Sequence, residues 1–311
     1  MSGGENRALH IFCVVLATCT FILIIAGGLV TSNDAGLSVP DWPLSYGRWM
    51  PDMVGGVFYE HGHRMIAAVV GLLTLILNGL LFLVKADRSL KRLGLIALAA
   101  ILVQAMLGGF AVLLELPVMV SVLHASLAQA FFCLVVSLAL FTSRSWSPAA
   151  LRGQAEPPAH VNYSNARLLT FTLFTQLFLG ALLRHSGTID GVKATQVDVW
   201  ALVGHLLGAL AVVVMIVTMA FPALQQSSTG LVGQACRTLL GLVFIQLGLG
   251  VGALVIRLDS LNRPQPVPVD VAITTGHLAV GALMLAASLT LTLLCRSFHM
   301  GTGGFHPSKV S

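Results

Sequence analysis

The stretch YEHGHRMIAAVVGLLTLILNGLLFLV, residues 59–84, decides the fold. After Arg64 it carries no charged side chain for 20 residues. As a helix rising about 1.5 Å per residue, that length crosses the roughly 30 Å of a bilayer's hydrocarbon. It is too long for a strand, does not alternate, and is rich in Leu, Ala and Gly. Seven further runs have the same character: Ile11–Val30, Leu93–Leu114, Pro117–Phe141, Arg167–Leu183, Val199–Phe221, Thr238–Ile256 and Val271–Leu294. Ala26-Gly27-Gly28 closes the first run with small residues, as a signal peptide would. That run is longer than a usual signal core and has a counterpart in the second half, so it is kept as a span. The expected fold is an all-α integral membrane protein of eight transmembrane helices, arranged as two pseudo-symmetric parallel four-helix bundles.

Composition agrees. Of 311 residues, 56% are apolar and 9% charged, and 31 are glycine; an ordinary soluble domain is about 25% charged. Mean hydropathy is +0.90. Small residues at this frequency let membrane helices approach closely. This composition excludes a soluble enzyme, a nucleic-acid binder and a disordered chain, and the net charge of +5 is no nucleic-acid footprint, because the basic residues sit in short loops between apolar runs. Cys13, Cys19, Cys133, Cys236 and Cys295 have no metal-ligand spacing. They are expected to be buried or lipid-facing thiols, not a disulfide framework.

Orientation follows from the basic residues. With the N-terminus inside, the inner side holds Arg7, Lys85, Arg88, Lys91, Arg92, Arg144, Arg152, Arg167, Arg237, Arg296 and Lys309, with three acids (Glu5, Asp87, Glu156). The outer side holds Arg48, Arg64, Arg184, Lys193, Arg257 and Arg263, against nine acids. Eleven against six places both termini in the cytoplasm. The Pro-, Ser- and Ala-rich segment 143–166 reads as a cytoplasmic linker between an N-terminal half, 1–142, and a C-terminal half, 167–311. Gln104-Ala-Met-Leu-Gly108, Gln176-Leu-Phe-Leu-Gly180 and Gln246-Leu-Gly-Leu-Gly250 echo one another, and Gly204-His205-Leu206 matches Gly276-His277-Leu278. An even number of spans per half makes the repeat parallel. The glutamines are read as interhelical hydrogen bonders, worth about a kcal/mol each at most.

Position separates the ten histidines. His10, His160, His299 and His306 lie in termini or the linker, where a solvated role is the default, and His185 lies in an outer loop. His63, His124, His205 and His277 each occupy an even-numbered span, five to seven residues from its outer end, a shared depth of about 10 Å. A single histidine in a span is as often a hydrogen bonder as a ligand. Four at one depth, two per half, are hard to explain as separate packing accidents. Imidazoles without Cys or carboxylate partners suit haem iron, and the core of a four-helix bundle is a usual haem site. Zinc or copper would gather ligands tightly, usually with carboxylate or sulfur. A proton relay would stagger its groups across the membrane, and a cytochrome moving electrons across it would want two depths. Two haem sites are expected, His63 with His124 and His205 with His277, both toward the outer side.

The halves differ at Glu60. Glu60, His63 and Arg64 share a helix face by their i, i+3 and i, i+4 spacing, and no other histidine span has an acid nearby. One reading is a helix-start ion pair. The other is a carboxylate beside a haem, placed to handle protons or hold a cationic intermediate, and the asymmetry favours it. His61 points about 200° away from His63 and is not expected to be a ligand.

Glu60-His-Gly-His63-Arg64 resembles the E-x-x-H-R element of the haem A synthase family. Gly27-Gly-Leu-Val30 followed by Gly36-Leu-Ser-Val-Pro-Asp-Trp-Pro-Leu44 resembles that family's first outer loop. With single histidines in spans four, six and eight, the likeness covers nearly the whole chain. E-x-x-H-R alone is weak; the whole set is specific. The resemblance implies an enzyme that oxidises the C8 methyl of haem O to the formyl of haem A through hydroxymethyl haem (haem I) and a gem-diol. It implies that His63 and His124 bracket the substrate haem, that Glu60 is the catalytic carboxylate, and that His205 and His277 hold a haem b cofactor that passes electrons. Implied partners are haem O synthase, an unidentified electron partner and the lipid bilayer; members are often homo-oligomers. The implied place is the inner or plasma membrane, in cytochrome oxidase assembly.

Two departures stand out. Many members flank Pro-Asp-Trp-Pro-Leu with a cysteine pair, and here those positions are Val39 and Ser45. The arginine that often follows the Gly-Gly pair is Thr31, leaving Arg48, Arg64, Arg184 and Arg257 as candidate propionate partners. The Asp41-Trp42-Pro43 turn reads equally as a lid over the substrate pocket and as a structural turn. Two other functions compete: a di-haem quinol-oxidising electron-transfer protein, and a haem carrier for oxidase assembly.

Overall fold

The computed structural model describes residues 5–147, 150–151, 157–186, 188–189, 192–193, 199–225, 230–259 and 266–299. Arg152, Glu156, Arg263, His306 and Lys309, used above to orient the chain or sort its histidines, lie outside them. Eight long helices dominate: α1 Glu5–Ser32, α2 Gly56–Leu83, α3 Arg88–Leu113, α4 Val118–Thr142, α5 Tyr163–His185, α6 Val199–Gln225, α7 Leu231–Asp259 and α8 Pro268–His299. All eight are long and apolar enough to cross a membrane, and the protein is a multi-pass membrane protein. A 3-10 turn at Arg144–Trp146 follows α4, and a two-residue antiparallel pair, Thr188–Ile189 with Val192–Lys193, lies between α5 and α6.

The helices overrun the apolar runs that betray them. Hydropathy detects only what must sit in hydrocarbon, while backbone hydrogen bonding carries each helix on into polar turns. Arg184 and His185, expected in an outer loop, are therefore the last residues of α5, and Arg257 lies in the last turn of α7. Likewise α2 begins at Gly56, so Glu60 lies beyond the first turn, which holds no acid. That removes the helix-start argument for the Glu60–Arg64 pair.

In the first half, α1 touches α2 and α4, α2 touches α3, and α3 touches α4. In the second, α5 touches α6 and α8, α6 touches α7, and α7 touches α8. Each set closes a ring around its own apolar core, one with Leu16, Val70, Leu77, Phe131 and Val135, the other with Leu169, Ile216, Leu239, Met284 and Leu294. The rings meet where α1 and α4 lie against α8, and α4 against α5. Gly28 makes the closest approach there: a Cβ on it would stand 2.8 Å from Leu278 of α8. All five cysteines are free, with Cys13, Cys236 and Cys295 buried. Every odd-numbered helix ends, and every even-numbered helix starts, at one end of the molecule, the upper end.

Candidate functional site

Each even helix carries its histidine near the upper end. His63 is seven residues into α2, His124 and His205 six into α4 and α6, and His277 nine into the longer α8. At 1.5 Å per residue these depths are about 9 to 14 Å. Each imidazole leans on a glycine of the preceding helix. A Cβ placed on Gly27, Gly108, Gly180 or Gly250 would stand 3.1, 3.1, 3.0 and 3.1 Å from Cε1 of His63, His124, His205 and His277 in turn. Ordinary contact begins near 3.4 Å, so the glycines leave the space that the rings occupy. Gly62, Gly71, Gly79, Gly241 and Gly248 have nothing within 4 Å, so closeness is no general property of this chain's glycines.

The His205 and His277 rings stand edge to face, with centroids 6.3 Å apart and planes at 72°. That gap accommodates one metal ion at an ordinary nitrogen distance of about 2 Å from each ring. Nδ1 of His63, His124 and His277 is buried without a hydrogen-bond partner. Buried polar atoms are rarely left so; in a metal-bound imidazole the nitrogen away from the metal is usually held by a carbonyl or carboxylate, and the backbones of Leu23, Gln104 and Gln246 lie within reach of these three rings. The His205–His277 separation thus suits an iron held between two imidazoles, and His63 and His124 lie within electrostatic reach of each other. Among the described residues no three His, Cys, Asp or Glu side chains converge as a zinc or copper site would require.

Two glutamines bind their hairpins together, and a third lies at the equivalent place. Gln104 Nε2 donates to the His124 carbonyl at 2.9 Å. Gln176 Nε2 donates to the His205 carbonyl at 2.8 Å and lies 3.0 Å from His205 Nδ1. Gln246 Nε2 lies 3.5 Å from His277 Nε2. Each precedes its contact glycine by four residues, the spacing that puts both on one helix face. The repeated Gln-x-x-x-Gly was visible in the sequence as an echo. Its glycine is the half that touches the histidine, a contact the spacing alone does not reveal.

Above His63 the α1–α2 connection is fastened to α2. Arg64 Nη2 donates to Glu60 Oε1 at 2.6 Å, and the Val39 N–H donates to Glu60 Oε2 at 2.8 Å. Arg64 Nη1 donates to the carbonyls of Asp41 at 2.7 Å and Leu44 at 2.8 Å, and Nη2 reaches the Val39 carbonyl at 3.3 Å. Ser45 Oγ and His61 Nδ1 are 2.8 Å apart. Val39 and Ser45 are both fully buried. Asp41 accepts from the N–H groups of Tyr46 at 2.6 Å and Gly47 at 2.8 Å. The Gly47 contact above all holds its carboxyl below the usual aspartate range. On the far side the Trp42 indole packs on Gly109 of α3, beside the Gly108–His124 contact: a Cβ on Gly109 would stand 2.8 Å from the ring.

The remaining arginines divide by place. Arg48 is exposed, and Arg64 spends its donors on the loop. Arg184 Nη2 donates to Ser32 Oγ at 3.3 Å, in a polar knot where Ser32 also meets Thr274 at 2.8 Å and Thr275 at 3.2 Å. Arg184 and Arg257 lie within electrostatic reach of each other. This knot, which joins α1, α5 and α8, has no sequence motif.

A family model described as cytochrome oxidase assembly protein matches residues 10–195. The chain belongs to that family. Relatives named heme A synthase align with it. The one from Bacillus pumilus (strain SAFR-032) is 28% identical over 70% of this chain and 76% of its own length. The one from Bradyrhizobium diazoefficiens is 26% identical over 93% and 92%, and the one from Symbiobacterium thermophilum 30% over 58% and 60%. The family match takes in α1 to α5, and with them Glu60, His63, Arg64 and His124.

Proposed function

We propose that this member of the family is a haem A synthase, oxidising the C8 methyl of haem O to a formyl group by way of hydroxymethyl haem. The observation that carries the reading is the grouping of four histidines at one end, with, among the described residues, a carboxylate three residues before just one of them, Glu60 before His63. Two pairs would suit an electron carrier equally; the asymmetry favours a substrate haem in one half and a resident haem b in the other. His63 and His124 hold the substrate. His205 and His277 hold haem b, which supplies one-electron transfer when bound.

Glu60 acts as the fixed negative charge next to the reacting edge, stabilising positive charge at the methyl carbon or taking its proton. Arg64 and the Val39 N–H hold the carboxylate in one orientation, and the loop with Trp42 keeps water from the pocket. Arg184 and Arg257 are the arginines best placed for propionates. Methyl to formyl removes four electrons, so an electron partner is required. Residues 1–142 form the substrate half and 167–311 the haem b half. The basic residues put both termini in the cytoplasm and the haem sites toward the outer face of the inner or plasma membrane.

The test is the haem content of membranes that express the chain together with a haem O synthase, extracted and identified by chromatography and mass. Haem A or hydroxymethyl haem is expected, and Glu60→Ala should lower it at least 100-fold, the scale of a lost acid–base group. Haem B and haem O alone, with the protein folded, would favour electron transfer. Undiminished haem A in Glu60→Ala would favour a haem carrier.

A further inference from the structure

The four hairpins are alike in their glycine–histidine contact and unlike in one residue. Four positions before the contact glycine stand Gln104, Gln176 and Gln246 in α3, α5 and α7, but Leu23 in α1. Leu23 is buried beside His63. Where a glutamine donates to the histidine's own carbonyl, at 2.9 Å for His124 and 2.8 Å for His205, the odd helix is tied to the turn bearing the ligand. The Leu23 backbone meets the His63 ring as the backbones of Gln104, Gln176 and Gln246 meet theirs, but its side chain has no polar atom with which to add the second tie. The α1–α2 seam is also where a groove of about 270 Å³ opens, lined by Cys19 and Ile22 of α1 and Met65, Ile66 and Val69 of α2.

We infer that His63 is the releasing ligand of the four and that Leu23 is the positioning residue that leaves it free to release. The inference rests on the assignment of His63 and His124 to a haem that must leave as product. Such a site needs one axial bond that breaks readily while the other guides the ring, and the tethered His124 suits the second part. In the resident pair His205 has this tether, and Gln246 lies 3.5 Å from the His277 ring nitrogen Nε2, as a site that never exchanges should. An interhelical hydrogen bond shifts an equilibrium about three- to tenfold, enough to separate exchanging from resident haem when added to the same ligation.

Haem O loaded on the full chain in lipid nanodiscs would be followed by its Soret band as it transfers to excess apomyoglobin. A faster phase, lost in His63→Ala, and a slower phase from the other pair are expected. Leu23→Gln should slow the faster phase about three- to tenfold and leave the slower unchanged, and Gln176→Leu should speed the slower phase by a similar factor. Unchanged release in either folded variant overturns the inference. Should Leu23→Gln fail to insert, Gln176→Leu decides alone, since leucine is at home in a membrane helix. If His63→Ala removes no phase, the ligand assignment itself falls.

Discussion

Glu60 spends both carboxylate oxygens on neighbours, one on Arg64 at 2.6 Å and one on the Val39 N–H at 2.8 Å. A purely structural anchor would look the same, so role and anchoring have to be separated by substitution. Glu60→Gln keeps an oxygen for Val39 but loses the charge. It should leave the loop protected from proteolysis while haem A formation falls at least 100-fold. Arg64→Leu should do the reverse to the loop, because four loop and carboxylate acceptors lose their donor together. If Glu60→Gln retains activity, anchoring is the whole role. Asp41 gives a pH test in the same loop. Its carboxyl sits below the ordinary value of about 3.9, chiefly through the Gly47 N–H. A depressed carboxyl stabilises above its unfolded pKa and loses that contribution as pH falls through the lower folded value. Hydrogen exchange at Tyr46 and Gly47, corrected for intrinsic rates, should therefore stay slow from neutrality to about pH 4 and quicken only below it. Asp41→Asn should quicken it already at pH 7.

At the scale of the helix, close approach is bought with small residues, and α2–α3 makes the clearest case. Asn78 Nδ2 donates across to the Gly94 carbonyl at 3.0 Å, and a Cβ on Gly94 would stand 2.6 Å from Leu81 Cδ1 and 2.9 Å from Asn78 Oδ1. Gly94→Leu should therefore separate α2 from α3, costing about 1–3 kcal/mol as an overpacked contact does. It should lower the midpoint of thermal aggregation in detergent by several degrees; an unchanged midpoint would mean the seam can open at no cost. The same logic explains what was legible beforehand. Eight helices could be read from hydropathy because the bilayer imposes a length on apolar runs. The four histidines could be read because polar residues in such runs are few. The helix ends could not, since Arg184 and His185 continue α5 in water. Nor could the glycine contacts, because which of Gly27 and Gly28 faces His63 depends on how α1 is rotated against α2. The fastening of Ser45 to His61 and of Trp42 to Gly109 joins residues 16 and 67 apart in sequence, beyond the reach of any local pattern.

Across the whole molecule, both histidine pairs lie at the upper end, at depths differing by only about 5 Å along the helices. An electron passing between the two sites therefore moves along the membrane plane. Moving one charge through the full membrane potential is worth about 2.3 kcal/mol per 100 mV, but a lateral step crosses almost none of that field. The protein loaded with haem at both pairs, reconstituted in vesicles and clamped by a potassium gradient with valinomycin, should show the same partition of reducing equivalents between its haems at 0 and about 100 mV. A shift of relative midpoint exceeding about a third of the applied potential would place the pairs at different depths, and with it a transmembrane electron route. The expected indifference also fits a chemical use of the second haem. On the proposed function, a site that drains electrons from an oxidation next door gains nothing from working against the membrane potential, and a lateral route needs only the two helix rings to stay joined, as Ser32, Thr274, Thr275 and Arg184 join them.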